Sequence, residues 1–187
     1  MSAIRRFIYS KPVTGLLKGI LSVFYKKQYL EGKFFEDKRM GYWWAISGIF
    51  RRIRNRRQGV DWPIGKNVSI LNGNNICFDN SSLNVFQQSG CYYQAFEKIY
   101  IGKNVWIAPN VGIITANHDI RDPEKHSSGK EIRIGDGCWV GMNSVILPGV
   151  ILGDGTIVGA GSIVTKSFSE GHCVIAGNPA KKIKDIF

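Results

Sequence analysis

The chain has little with which to hold a metal or a disulfide framework. In 187 residues there are three histidines (His118, His126, His172) and four scattered cysteines (Cys77, Cys91, Cys138, Cys173) without a CxxC pair. No metal is expected, and unpaired cysteines fit a reducing cytoplasm better than a secreted scaffold. No run approaches the ~20 apolar residues that a spanning helix needs, and no charged, apolar, small-residue succession of a signal peptide opens the chain. Acidic residues are scarce at one end. Positions 1–60 hold 14 Lys and Arg against 3 Asp and Glu, a net of +11, whereas 61–187 hold 11 of each. All of the net positive charge belongs to an N-terminal appendage.

What the chain does have is a period of six. Ile134, Val140, Ile146, Leu152, Val158 and Val164 succeed one another at that interval, which fits neither an amphipathic helix nor a flat strand. The fifth position of each hexad is small or β-branched (Cys138, Ser144, Val150, Thr156, Ser162), and glycine follows the mark at Gly135, Gly141, Gly153 and Gly159. A chain that turns a corner every six residues can point both apolar positions inward, with glycine tolerating either the corner's backbone angles or close packing. Three hexads make one triangular coil.

The same register occupies Ile101, Ile107 and Ile113, and again Ile64, Ile70 and Ile76. From 82 to 100 the marks become Leu83, Ser89 and Ala95, a one-residue offset that predicts a distorted coil. Residues 119–133 interrupt the repeat. Removing those 15 residues leaves Ile101 and Ile134 one 18-residue coil apart. Trp106 should then lie directly beside Trp139 on the next coil, about 4.8 Å away. The expected organisation is an all-β solenoid of about five to six coils over 61–187, a loop at 117–133, and a helical region at 1–60.

That N-terminal region contains two apolar stretches. From Thr14 to Leu30, Leu16, Leu17, Ile20, Leu21, Phe24 and Leu30 share one helical face. A second helix is expected over Gly41–Phe50, carrying Tyr42, Trp43, Trp44, Ile46 and Ile49 before the basic run Arg51, Arg52, Arg54, Arg56 and Arg57. Both stretches could cap the solenoid or pack on a neighbouring subunit. An aromatic, basic face could instead lie on an anionic cytoplasmic membrane leaflet. Nucleic acid is not an expected partner, because the arginine run belongs to no recognisable reader module.

Chemistry is expected at the interruption, Thr115-Ala116-Asn117-His118-Asp119-Ile120-Arg121-Asp122-Pro123. His118 occupies the last, outward position of its hexad. Imidazole there supplies a base titrating near neutral pH, oriented by Asp119 or by a loop carbonyl.

With the hexads, further segments carry a resemblance: Ile107-Ala108-Pro109-Asn110-Val111 eleven residues before His118, Trp139-Val140-Gly141, Pro148-Gly149-Val150, Gly159-Ala160-Gly161-Ser162-Ile163-Val164-Thr165-Lys166 and Ala176-Gly177-Asn178-Pro179-Ala180. As a set, over residues 60–187, they resemble the hexapeptide-repeat O-acetyltransferases, which include galactoside and maltose acetyltransferases and enzymes that acetylate capsular or exopolysaccharide sugars. The resemblance implies a left-handed parallel β-helix, a hand that the period alone does not give. It also implies a homotrimer with active sites between subunits. His118 would be the general base, Trp139 would flank the reacting centre, and acetyl-CoA would be the cosubstrate. Met142 and Ala160 would contact that cosubstrate through their backbones, with Thr165 and Lys166 along its path and Lys181 and Lys184 near its phosphates.

Gln88 and Asn117 are candidate acceptor contacts. Gln88 stands where galactoside-type members place a substrate-binding asparagine. Their N-terminal module is acidic, whereas this one is basic and aromatic. The difference favours a lipid-linked sugar or nascent polysaccharide over a small soluble sugar as acceptor, and a cytoplasmic protein peripheral to the membrane through residues 1–60. The alternatives are a non-catalytic β-helix scaffold and a zinc carbonic-anhydrase-like trimer.

Overall fold

The computed structural model of the chain describes residues 10–37 and 40–186. Parts of the 1–60 region, residues 1–9, 38 and 39, lie outside the described residues. Two α-helices, α1 (Lys11–Leu21) and α2 (Met40–Arg54), precede a solenoid of short strands. These are β1 (Ser69–Leu71), β2 (Ile76–Phe78), β3 (Tyr92–Gln94), β4 (Ile99–Ile101), β5 (Trp106–Ile107), β6 (Gly112–Ile114), β7 (Ile132–Ile134), β8 (Trp139–Val140), β9 (Val145–Ile146), β10 (Ile151–Leu152), β11 (Ile157–Val158), β12 (Ile163–Val164), β13 (Cys173–Gly177) and β14 (Ala180–Asp185).

The strands form the three faces of a left-handed parallel β-helix. Face one stacks β1-β3-β6-β9-β12, face two β2-β4-β7-β10, and face three β5-β8-β11-β13, which β14 closes in antiparallel pairing. The hexad marks become columns, except that Ile64 lies before β1 and Ile76 pairs with Ile99, leaving Phe78 opposite Ile101. Ile70, Tyr93, Ile113, Ile146 and Val164 pair in series on face one, Ile101, Ile134 and Leu152 on face two, and Ile107, Val140, Val158 and Ile175 on face three. All are buried. Trp106 pairs with Trp139 in register, so removing the 15-residue interruption does restore the coil.

The expected small inward positions are buried as well: Cys138, Ser144, Val150, Thr156 and Ser162. Their hydroxyls serve carbonyls that turn inward at the corners. Ser144 and Ser162 both donate to Gly159 O, at 3.0 and 2.6 Å, and Thr156 donates to Gly153 O at 2.7 Å. A polar atom can therefore sit in this core without the desolvation cost of an unmade bond.

Glycine after the mark answers to packing and not to corner angles. The left-handed conformations at the edge between faces three and one belong to Asn67, Gly90, Asn110, Asn143 and Gly161, where Asn110 Nδ2 donates to Asn143 Oδ1 at 3.1 Å. At Gly141, by contrast, a Cβ would lie 2.6 Å from Ala160 N of the next coil.

Three expectations need correction. The coil at 82–100 contains a 3-10 helix over Asn80–Gln87, after which Tyr93 fills the inward column while Ser89 is exposed. The helix expected over 14–30 is shorter: α1 ends at Leu21, and the chain resumes as a 3-10 turn at Lys27–Leu30. The helix expected over 41–50 is longer, because α2 continues through the basic run to Arg54. Arginines are good helix formers and complement the C-terminal end of the helix dipole, and Arg51 Nε donates to Ile64 O at 3.0 Å while Arg52 pairs with Asp61.

These helices close the first coil. Leu21, Tyr25, Leu30, Phe34, Phe35, Tyr42 and Ala45 are buried in one core with Trp62 and Ile64. Aromatic rings continue from the cap into the solenoid, with Tyr29 stacked on Phe78 at 5.0 Å, Phe78 edge-on to Phe86 at 4.8 Å, and Phe86 against Tyr93 at 5.1 Å. The capping role expected of the appendage is thus its packing in this chain.

Gly141→Ala should destabilise the protein by about 1–3 kcal/mol through overpacking. Gly112→Ala should be neutral or stabilising, since its added Cβ meets only Val145 methyls at 3.6 Å and Gly112 lies within a strand. Thermal unfolding of the two variants checks the contrast.

Candidate active site

The interruption leaves face one after β6 and returns to face two at β7. It is a tied hairpin. Ser127 N donates to Asn117 O at 2.9 Å, Asp119 N to Lys125 O at 2.8 Å, and Lys130 N to Thr115 O at 2.8 Å. Two side chains anchor its root: Thr115 Oγ1 donates to Gln94 O at 2.8 Å, and Gln94 Oε1 accepts from Ala116 N at 3.1 Å. The ring bearing the expected base therefore stands on a braced segment.

His118 is exposed, as its hexad position requires. Its Nδ1 lies 2.6 Å from Pro123 O. A carbonyl can only accept, so Nδ1 carries the proton and neutral imidazole presents Nε2 as an acceptor. Of the two orienting groups open from sequence, the loop carbonyl is the one bonded to the ring. Asp119 does other work: its Oδ1 accepts from Arg121 N at 2.8 Å and from Asp122 N at 3.2 Å, holding the loop's turn.

A cavity of about 380 Å³ at the loop is lined by Asn117, His118, Asp119, Ile120, Arg121 and Ser127. Sequence reasoning missed its neighbour His126, whose ring lies 4.5 Å from that of His118 and is met edge-on by Phe96 at 5.3 Å. The signal available was two histidines flanking Pro123 in one loop, which a hairpin return would pair.

The other expected residues separate by edge. Thr165 and Lys166 follow β12 at the edge between faces one and two, the edge His118 leaves from, two coils further along. Lys166 Nζ lies over the Phe168 ring at 5.6 Å. Met142 and Ala160 stack at the edge between faces three and one, where Gly161 N donates to Met142 O at 2.8 Å. Gln88 precedes β3 at that same edge, and Trp139 is half exposed on adjoining face three. Lys181 and Lys184 are exposed on β14, not on a turn, and the ribbon bulges between them at Ile183. Within one chain, the imidazole and the Met142–Ala160 edge are separated by face one, on the order of 20 Å for a six-residue side.

No group of three or more His, Cys, Asp or Glu side chains suited to a metal occurs among the described residues. Burial pushes the Cys138 thiol up to about 11, so it is a poor thiolate at neutral pH.

Long-range ¹H–¹⁵N spectra of the neutral protein should show His118 as the Nδ1–H tautomer. Asp119→Asn should retain that tautomer, because the amide oxygen can still accept from Arg121 N and Asp122 N. An Nε2–H tautomer in the parent protein would contradict the Pro123 contact.

Residues 131–166 match the family described as bacterial transferase hexapeptide (six repeats). A Dictyostelium discoideum protein named as a candidate acetyltransferase is 47% identical over 106 residues, 55% of this chain and 55% of that one. The maltose O-acetyltransferase of Clostridium difficile 630 superposes with a TM-score of 0.52 at 29% identity, covering 93% of this chain and 86% of that one. A galactoside acetyltransferase solved with coenzyme A shares the fold, with a TM-score of 0.57 at 24% identity over 100% of this chain and 92% of that one. The chain spans about half the length of the curated relatives it matches. Over residues 131–166 the chain resembles the hexapeptide-repeat transferases, and it is similar to the galactoside and maltose O-acetyltransferases.

Proposed function

We propose that this protein is an O-acetyltransferase that uses acetyl-CoA to acetylate a hydroxyl of a sugar, a lipid-linked sugar or a polysaccharide precursor, in the cytoplasm. The observation that carries the reading is the His118 ring, exposed on a braced loop with Nδ1 committed to Pro123 O. Nε2 is then the atom that takes the acceptor's proton. As that proton leaves, the hydroxyl oxygen attacks the thioester carbonyl, the new C–O bond forms, and the C–S bond breaks. The proton on Nε2 passes to the departing thiolate, giving acetylated acceptor and free thiol. His126 walls one face of the imidazole, and Trp139 excludes water on the acyl side. Gln88 and Asn117 are the acceptor contacts of this reading.

Met142 and Ala160 suit a passing pantetheine arm because they are exposed on successive coils at one edge, where the arm would run along their main chains. Lys166, Lys181 and Lys184 supply positive charge further along. Since face one divides this edge from His118 in one chain, the reading requires a second prism alongside the first. We take the assembly to be a homotrimer, with each site shared by two subunits.

His118→Ala should lower kcat by ~10²–10⁴-fold while leaving KM for acetyl-CoA and the melting temperature near parental values. Release of free thiol, measured with a panel of free, nucleotide-linked and lipid-linked sugars, checks this. Parental turnover in the variant would remove His118 from the base role.

Subunit mixing tests the shared site. His118→Ala and Ala160→Trp trimers should each be inactive, and trimers co-assembled from both should regain activity, because some clefts then pair an intact loop with an intact cofactor edge. No recovery in verified mixed trimers would place the site within one chain.

A further inference from the structure

Helix α2 has two apolar faces, and the cap uses one. Gly41, Tyr42, Ala45 and Gly48 are buried, with Gly48 close enough that a Cβ would lie 3.0 Å from the Tyr25 hydroxyl and 3.3 Å from Ile64 O. On the outer side, Trp43, Ile46, Phe50 and Ile53 follow at intervals of three, four and three residues, a single helical stripe. They are exposed, Trp43 at 68% and Phe50 at 85%. On α1, which packs against α2, Leu16 and Ile20 are exposed at 68% and 52%, and Val23 just beyond it at 80%. A helix that only caps a solenoid has no need of tryptophan, phenylalanine and isoleucine on its solvent side.

Charge indicates what covers this face. Arg54 borders the stripe one position beyond Ile53, and Arg56 and Arg57 continue beyond the helix, all exposed. Beside them a cavity of about 520 Å³ is lined by Arg51, Arg54 and Lys66, by amide and hydroxyl side chains and by aliphatic ones, with no carboxylate. The solenoid sequence from 61 onward is neutral in sum, so the +11 of the chain falls within the first 60 positions of the sequence, which include the apolar stripe. Apolar rings bordered by cations match the boundary between acyl chains and anionic headgroups. A second copy fits less well, since self-docking through the stripe would bring two arginine borders together. Among the described residues no helix is long and apolar enough to cross a membrane, so the contact would be peripheral.

We propose that the outer face of α1 and α2 docks on an anionic membrane surface, with Trp43 and Phe50 seated at the headgroup boundary and Arg54, Arg56 and Arg57 beside the lipid phosphates. The proposal does not depend on the acetyl-transfer reading.

The test is flotation of the full-length protein with phosphatidylcholine vesicles and with vesicles that also contain phosphatidylglycerol, alongside molar mass by light scattering. The protein should float with the anionic vesicles and much less with the neutral ones. Trp43→Ser with Phe50→Ser should weaken binding about tenfold or more, with mass and melting temperature unchanged because both side chains are exposed. Each of Arg54→Gln, Arg56→Gln and Arg57→Gln should cost about fivefold on anionic vesicles. Parental protein that stays in solution overturns the proposal. So does a serine variant that binds as tightly as the parent. A serine variant that loses assembly mass assigns the stripe to self-association and overturns it too.

Discussion

The structure depends on the hydrogen-bond ladder between successive coils. Each strand from β1 to β12 has only two or three residues with which to pair, so its backbone groups are satisfied only if the next coil arrives in register. Gly102 N reaches Ile134 O, Gly135 N reaches Leu152 O, and Gly153 N reaches Phe168 O, all within 2.8–2.9 Å. One residue gained or lost within a side would turn the inward column outward. Insertions are therefore confined to the edges, and the long one obeys this. It leaves after β6 and returns with Ile132 N bonded to Lys98 O, as an uninterrupted chain would be. A functional loop can vary there without disturbing the columns.

A solenoid also has two ends at which the ladder and the apolar interior stop, and both must be covered. At the C-terminal end β14 folds back in antiparallel pairing on β13, ending the parallel series on face three. The N-terminal end is covered by aromatic packing, in which Trp62, Phe78 and Phe86 join the cap to the first inward column. Small residues on the inner side of α2 let it approach closely, and Gly41 packs against the Phe35 ring in a space that no Cβ could share. The inner side settles the fold, so the residues of the outer side are under no structural demand to be apolar.

Legibility in the sequence followed the same division. The columns were readable because each inward position is fixed by local spacing, and the pairing of Trp106 with Trp139 was readable because the insertion preserves phase. The coil at 82–100 was not, because a 3-10 helix has its own period and shifts the inward role to Tyr93. The helix limits were missed where tertiary partners, Ile64 O for Arg51 and Asp61 for Arg52, let basic residues continue α2, and where the apolar pattern after Leu21 served a 3-10 turn. At the site, the position of His118 was legible and its partner was not. Pro123 O and His126 meet the ring only because the loop doubles back, and no periodicity within the loop announces that.

The arrangement of the site residues follows from the prism. Side chains at one edge recur every 18 residues, so an edge can supply a long, nearly straight track for an extended ligand, the role proposed above for Met142 and Ala160, whose coils stack at that edge. An edge cannot supply a concave pocket, because its sides fall away. A base and a track on different edges of one chain would face different directions, whereas two prisms set side by side bring an edge of each into one cleft. The same logic accounts for the long loop that carries the proposed base. In the reading proposed here, a loop that projects from its own edge reaches the neighbour's track without either ladder having to bend.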